Sequence, residues 1–269
     1  MTMRLRSIAL CFWMACGAMS VTPTLSQAQF AIDKTELFLR PDAPDQRNGV
    51  LMVRNEGSER AQAIIKVEDW DRADDGTNRF FPSGTKPGSC AQALTVFPLS
   101  ISLAPGEAQS IRIDLVAGAS SLIAKECWSV VLVESQQPRA QASGRTIMYT
   151  LRTGLKVYAA PAGLKVDGEV SDVNVVERTS DHGPEQDVTV AFKNTGEKHV
   201  MAQGRVEVRR GDNTVAASVT LPPMYALAGA EMRVKALMPT LPKGRYVLLA
   251  ILDYGGSELA AAQFEYEAK

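Results

Sequence analysis

Two histidines, His182 and His199, are the residues of this sequence best suited to acid–base or metal chemistry. They occur in SDHGPEQD and GEKHV, polar stretches rich in turn-forming residues, where an exposed histidine is the ordinary expectation. Neither has a cysteine or a second histidine at the spacing of a metal site, and no G-x-S-x-G stretch or free thiol accompanies them. The stretch YGGSE lacks the lysine and the spacing of a phosphate-binding loop. We therefore predict that the protein is not an enzyme and holds no metal or cofactor.

The acidic stretch DWDRADDGTNRFF invites a calcium interpretation. A calcium loop of the EF-hand type that used Gly76 as its turn glycine would need a ligand at Ala73 and a glutamate at Pro82. The sequence offers neither, so this stretch is better explained as a hairpin turn between two strands.

The amino-terminal stretch has the pattern of a secretory signal peptide. MTMRLR carries two arginines, the apolar run SIALCFWMACGAMSV follows, and Ser26-Gln27-Ala28 offers small residues for cleavage. We predict a signal peptide over residues 1–28, a mature chain that begins at Gln29, and export from the cytoplasm. The alternative is a lipoprotein acylated at Cys16, although the bulky Trp13 is unusual in such a signal.

The composition of the predicted mature chain bears on its partners and its compartment. Its 241 residues include 27 basic and 30 acidic side chains, a net charge of −3, which argues against a nucleic-acid partner. Of the four cysteines, Cys90 and Cys127 remain. In an exported protein two cysteines favour one disulfide, with two reduced thiols as the alternative.

Short alternating or β-branched segments, bounded by Gly, Pro, Asn or Asp, dominate the mature chain. Those of the first half are TELFLR, GVLMVRN, AQAIIKVEDW, LTVFPLSISL, SIRIDLV, CWSVVLVES and RTIMYTLRTGLKVY; those of the second are LKVDGEVSDVNVVE, DVTVAFKN, GRVEVRR, NTVAASVTL, EMRVKALM, GRYVLLAILDY and AAQFEYEA. About seven strands per half predict an all-β protein of two immunoglobulin-like β-sandwich domains in tandem. The join falls near Ala159–Gly163, so the domains are expected over 29–161 and 164–269.

The stretch RTIMYTLRTGLKVYAAP, residues 145–161, alternates apolar and polar side chains and reaches a lysine, Lys156, near its end. Ile147, Tyr149 and Leu151 alternate along it before Lys156. Such a strand packs one face inward, and a lysine at a strand end often protects an exposed sheet edge from aggregation.

Several segments of the first half, taken in order, resemble the periplasmic chaperones of chaperone-usher pilus assembly, the PapD type. VLMVRNEG resembles the family's strand that ends in an asparagine turn, and AIIKVEDWDRADDG its next strand with the Trp and the hairpin. LTVFPLSISLAPGEAQSIRI resembles its P-x-x-x-x-L-x-P-G-E-x-Q-x-x-R-I signature, CWSVVLVES its penultimate strand, and GLKVYAAP the end of its last strand. The resemblance covers about residues 30–161, and the second half resembles a generic Ig-like domain.

This resemblance implies that the last strand of the first domain is lent to a pilus subunit whose own fold lacks a strand. Ile147, Tyr149 and Leu151 would then be the residues that fill the pockets of the subunit. The alternative is that they face the core of their own domain. Lys156 lies where the family has a lysine that anchors the terminal carboxylate of the subunit.

The sequence departs from the family pattern beside this lysine. The family pairs the lysine with an arginine that follows a threonine, whereas here Glu36 follows Thr35. A carboxylate there would repel the carboxylate of the subunit or pair with Lys156. Arg40 could substitute only in a shifted register, because four residues along a strand span about 13 Å.

The sequence thus predicts a periplasmic chaperone that binds and stabilises pilus or fimbrial subunits by donor-strand complementation. Its expected partners are those subunits, with an outer-membrane usher as a further candidate; no nucleic acid and no small-molecule substrate are expected. The alternative is a PapD-like structural or adaptor protein of the cell envelope without carboxylate-anchored binding, which Glu36 favours.

Overall fold

The structure, a computed structural model, describes residues 29–141, 143–180 and 183–268. The predicted signal peptide and His182 lie outside the described residues. Within the described ranges, no helix is long and apolar enough to cross a membrane.

Eighteen β-strands make up most of the described chain. The first ten are β1 (Phe30–Ile32), β2 (Glu36–Leu39), β3 (Asn48–Asn55), β4 (Ala61–Arg72), β5 (Asn78–Phe81), β6 (Leu94–Phe97), β7 (Ser100–Leu103), β8 (Ala108–Leu115), β9 (Cys127–Ala140) and β10 (Thr146–Ala159). The other eight are β11 (Gly168–Ser180), β12 (Gly183–Asn194), β13 (Val200–Arg209), β14 (Val215–Thr220), β15 (Met224–Ala226), β16 (Glu231–Met238), β17 (Gly244–Asp253) and β18 (Ala260–Ala268). Two 3-10 turns, Pro44–Gln46 and Ala91–Ala93, and one short helix, α1 (Ala119–Leu122), complete the list.

Strands β1 to β10 form one β-sandwich. Its smaller sheet has the order β1-β3-β8-β6, and its larger sheet has the order β2-β10-β9-β4-β5, with β7 also paired to β4. Alternate residues of the two sheets meet in a core that includes Leu51, Ile111, Leu155 and Val157, all fully buried.

Strands β11 to β18 form a second β-sandwich. Its sheets have the orders β11-β12-β16 and β14-β13-β17-β18, with β15 paired to β13. Its core includes Val190, Phe192, Val206 and Leu248. The all-β class and the two sandwiches in tandem predicted from the strand count are confirmed, while the limits 29–161 and 164–269 stay predictions.

Two strand assignments from the sequence differ from the structure. LTVFPLSISL is two strands in different sheets, because Pro98 has no N–H for a ladder and ends β6. The strand predicted over CWSVVLVES extends into the polar residues that follow it: β9 continues to Ala140 and pairs with β10 to the end. Pairing with the neighbouring strand outweighs the weak strand propensity of polar residues. The acidic stretch forms the predicted hairpin between β4 and β5, with Gly76 at φ +90°.

The predicted disulfide between Cys90 and Cys127 is present, with a Cα–Cα distance of 5.1 Å. It joins the loop after β5 to the start of β9. Asp69 fixes the same loop, since its buried carboxylate accepts hydrogen bonds from the backbone N–H groups of Thr85 and Lys86 and from the Ser89 hydroxyl.

An asparagine turn occurs at the equivalent place in both domains. The fully buried Asn55 amide donates to the carbonyls of Glu59 and Leu103, and its oxygen accepts from the N–H of Gly57. In the second domain Asn194 makes the corresponding bonds. Each asparagine ties a strand end to a neighbouring loop through one buried side chain.

We expect Asn55→Ala to lower the free energy of unfolding of the first domain by roughly 2–4 kcal/mol, because buried backbone groups lose their partners. Urea unfolding followed by tryptophan fluorescence measures this domain, since Trp70 and Trp128 are the tryptophans of the predicted mature chain. Asn48→Ala, at an exposed position of β3, is the matched control and should change stability little. An equal decrease in the free energy of unfolding for both variants would show that the buried hydrogen bonds of Asn55 do not stabilise the domain.

Candidate functional site

Strand β10 has one edge that is largely unpaired. Its other edge pairs with β9 over all fourteen residues. On the free side, β2 pairs in parallel only with Lys156–Ala159, so no strand of the described chain pairs with Thr146–Leu155 there. We call Thr146–Leu155 the free edge. Unpaired backbone N–H and C=O groups of this kind are a template for an added strand.

The three apolar residues singled out in the sequence lie along this free edge. They share the face of Leu155 and Val157, which are buried in the first core, because side chains alternate along a strand. Ile147 and Tyr149 are nevertheless 38% and 42% exposed, and Leu151 is half-buried. The inner face of β10 therefore continues beyond its own core, where another protein could cover it.

Lys156 lies on the opposite, outer face of β10, towards the second domain. Its Nζ is 4.4 Å from the centroid of the Trp70 ring, a cation–π contact. Trp70 is buried in a cluster with Val130, Tyr158 and, from the second domain, Leu227. The lysine is half-buried, and no ion pair to it is found among the described residues.

Arg72 provides a second cation at the same ring, and sequence reasoning missed it. The last residue of β4, it lies with its Cζ 5.8 Å from the centroid of Trp70 and 5.4 Å from that of Tyr225 in the second domain. Its Nη1 donates to the carbonyl of Tyr225 at 3.5 Å, while its buried Nε has no acceptor in the described chain. The only sequence signal was a basic residue two positions after Trp70. Lys156 and Arg72 thus leave positive charge and an unused donor beside Trp70.

Glu36 is the direct neighbour of Lys156. The parallel register of β2 and β10 pairs Lys156 with Glu36 and Tyr158 with Phe38, whose rings stack at 5.3 Å on the outer face. Glu36 is exposed and forms no ion pair with Lys156 within 4.0 Å, so it does not mask the lysine. Arg40 does not replace the missing arginine, because it is paired with Asp42 at 2.7 Å.

His199 has a structural place at the contact between the domains. Its ring stacks on Tyr158 at 4.4 Å, and its Nδ1 lies 2.8 Å from Oε1 of Glu126, a buried carboxylate of the first domain. The backbone N–H of Glu126 also donates to the carbonyl of Glu197. Within the described ranges no group of three metal-ligating side chains is gathered. The stacking on Tyr158 and the contact with Glu126 make His199 part of the contact between the two domains, close to Lys156.

The disulfide between Cys90 and Cys127 helps to position Trp70, the ring that Lys156 contacts. Cys127 is followed by Trp128, whose indole N–H donates to the carbonyl of Trp70 at 2.9 Å. Trp128 packs closely on Gly88, which has φ +80°, so close that a Cβ there would lie 2.7 Å from the ring. The loop closed by the disulfide thus positions Trp128, and Trp128 positions Trp70.

The environment of Lys156 predicts its titration. Burial and then the nearby Arg72 guanidinium lower the pKa of Lys156, and Glu36 offsets part of this effect. Because the folded-state pKa lies below the unfolded value, the free energy of unfolding should rise with pH as the pH passes through the folded-state pKa. We expect NMR of ¹³C-methylated lysines to show one amine, absent in Lys156→Arg, that titrates below the usual range. A normal titration of that signal would contradict the buried position of Lys156.

Comparisons with known proteins agree with this architecture. No family model matches the chain, and no curated protein is significantly similar to it in sequence. Among solved structures it is similar to a chain of a chaperone–tip adhesin complex of CFA/I fimbriae biogenesis, with a TM-score of 0.51 and 11% identity, over 88% of this chain and 98% of that one. The class 5 fimbriae chaperone CfaA (TM-score 0.49, 12% identity, 87% and 98% covered) and the YadV chaperone (0.48, 13%, 88% and 100%) are also similar.

The fold is therefore similar to the two-domain, immunoglobulin-like fold of the first of these structures, in agreement with the fold that the resemblance to PapD-type chaperones implied. At this level of sequence identity the likeness defines the fold, and the activity has to be argued from the site.

Proposed function

We propose that this protein is a periplasmic chaperone that binds pilus or fimbrial subunits by donor-strand complementation. One observation carries the proposal: the free edge of β10 offers unpaired backbone groups and, on its inner face, the alternating apolar residues Ile147, Tyr149 and Leu151. An incomplete sandwich of the client, which lacks one strand, is the partner that requires both features at once.

The binding energy would come from two sources. The client strand would exchange backbone hydrogen bonds with Thr146–Leu155 of β10. The three apolar side chains would enter the open core of the client, each contributing roughly 1.5–3 kcal/mol if fully buried. By binding the folded client only, the chaperone would stabilise it through mass action and cover its apolar groove.

The terminal carboxylate of the client would be anchored at Lys156 and Arg72. A client strand that runs parallel to β10 ends where β2 begins, which places its carboxyl end near Lys156. Arg72 supplies the second cation in place of the arginine that the first strand lacks, and its buried Nε offers an unused donor. Guanidinium and ammonium groups are the usual partners of a carboxylate in such sites.

The location and the further partner follow from the same proposal. The signal pattern of residues 1–28 supports export to the periplasm, where subunits wait for assembly. Delivery to an outer-membrane usher would complete the function.

Isolation of the tagged mature protein from its native periplasm, with mass spectrometry of what co-purifies, tests the proposal. We expect a small immunoglobulin-like subunit with the wild type and its loss with Leu151→Arg. Met148→Arg is the matched control, because Met148 lies on the same strand with its side chain on the opposite face, 56% exposed. If no subunit co-purifies, or if it remains with Leu151→Arg, strand donation is wrong.

A second candidate function, an envelope adaptor without carboxylate anchoring, is favoured by the carboxylate of Glu36 beside Lys156. In that case a partner would co-purify equally well with the wild type and with a Lys156→Ala variant.

A further inference from the structure

Glu36 lies where the free edge of β10 ends. The N–H of Lys156 donates to the carbonyl of Thr35 at 2.9 Å, and Glu36 is the register partner of Lys156. A strand added to the free edge would therefore be collinear with β2 and would meet Thr35 and Glu36 end to end. The last residues of such a strand would be the nearest neighbours of the Glu36 carboxylate.

The negative charge of Glu36 is available to a partner. Its side chain is exposed and makes no hydrogen bond or ion pair with any described residue. The cations on either side are already engaged, since Lys34 pairs with Asp33 at 3.3 Å and Arg40 with Asp42 at 2.7 Å. Lys156 contacts the ring of Trp70 instead of the carboxylate.

Gly154 presents no side chain towards a partner strand beside Glu36, although Val130 and Leu132 of β9 already lie close to its outer face. Gly154 precedes Lys156 on the outer face of β10, where it presents no side chain of its own. A partner residue level with Gly154 would point to that same face. Its Cα would lie about 6–7 Å from that of Glu36 along the shared edge, within reach of a lysine or arginine.

We propose that Glu36 selects clients that carry a lysine or arginine within the last two residues before their terminal carboxylate. The cationic side chain would pair with Glu36 while the carboxylate pairs with Lys156 and Arg72. An acidic residue at that place would be repelled by Glu36. Specificity would therefore require both a cationic side chain and a terminal carboxylate in the client. This inference rests on the proposed function, because it requires a client strand on the free edge.

Synthetic peptides provide the test. Two peptides of roughly ten residues, long enough for the free edge, would share an alternating apolar sequence and a free carboxylate, and would differ only in ending on two lysines or two norleucines. Their dissociation constants would be measured with the mature wild type, Glu36→Gln, Glu56→Gln and Leu151→Arg. Glu56 is an exposed carboxylate in the turn after β3, so Glu56→Gln removes the same charge elsewhere.

We expect the wild type and Glu56→Gln to bind the lysine peptide about fivefold more tightly than the norleucine peptide, as for a good ion pair. Glu36→Gln should bind the two equally. A lysine preference that survives Glu36→Gln, or that is absent in the wild type, overturns the selection while binding lost in Leu151→Arg still supports strand donation. Binding of neither peptide to the wild type would count against both proposals.

Discussion

Replacement of both Lys156 and Arg72 by alanine should weaken client binding by about a hundredfold or more. A hydrogen bond to a charged group contributes roughly 1.5–3 kcal/mol, which corresponds to about 10- to 100-fold in affinity for each cation. Because both cations lie within 6 Å of the centroid of the Trp70 ring, their contributions should be coupled rather than additive. The amount of subunit retained during serial dilution of the purified complex measures the loss.

Arg152→Ala is the control for this experiment. Arg152 lies on β10 four residues before Lys156 and on the same outer face, but its guanidinium is already paired with Glu134 at 3.0 Å and lies 3.6 Å from Glu68. Its removal should therefore leave client binding nearly unchanged. The double variant also loses its cation–π contacts to Trp70 and the hydrogen bond from Arg72 to Tyr225, so its binding is compared under conditions in which circular dichroism shows it folded. Equal binding by the double variant and Arg152→Ala would refute the anchor and leave strand donation alone to explain the affinity.

Loss of the disulfide should produce the largest change in stability. Cys90 and Cys127 are separated by 37 positions, and a loop of this length corresponds to roughly 3–4 kcal/mol in the chain-entropy estimate. We expect Cys90→Ala/Cys127→Ala to lower the free energy of unfolding of the first domain by about this amount, measured by urea unfolding with tryptophan fluorescence. Client binding at low urea should fall as well, because the closed loop positions Trp128 and, through it, Trp70.

Reduction provides an internal control for the disulfide prediction. A reducing agent should destabilise the wild type by the same amount and leave the double alanine variant unchanged. Ser129→Ala, which removes the hydroxyl that accepts from the N–H of Cys90, should cost far less. An unchanged urea midpoint in the double variant would mean that the hydrogen bonds of the loop, including the three to Asp69, hold it without the disulfide.

The local pattern of the sequence was enough to predict most elements of the fold. Alternation with period two identified the strands and placed Ile147, Tyr149 and Leu151 on one face, because this period follows from strand geometry alone. The effect of Pro98 on strand continuity was not predicted. Because Pro98 has no N–H, the apolar run that contains it is divided between two sheets. The polar end of β9 was also missed, because its strand conformation depends on pairing with β10.

The candidate site divides in the same way. The position of Lys156 near the end of the last strand and the pair Cys90 and Cys127 could be read from the sequence, and the resemblance to the PapD type marked Glu36 as standing where that family has an arginine. The alternation along β10 also predicted an apolar face on this strand. It did not predict whether the core of the first domain would cover that face.

Only the tertiary structure decided what surrounds those residues. It brought Arg72 to the ring that Lys156 contacts, set Glu36 beside Lys156 without an ion pair, and placed His199 against Glu126. It also left Thr146–Leu155 without a partner strand on one edge. These relations join residues far apart in the chain through sheet pairing and domain contact, whereas the strand pattern depends only on the alternation of neighbouring side chains.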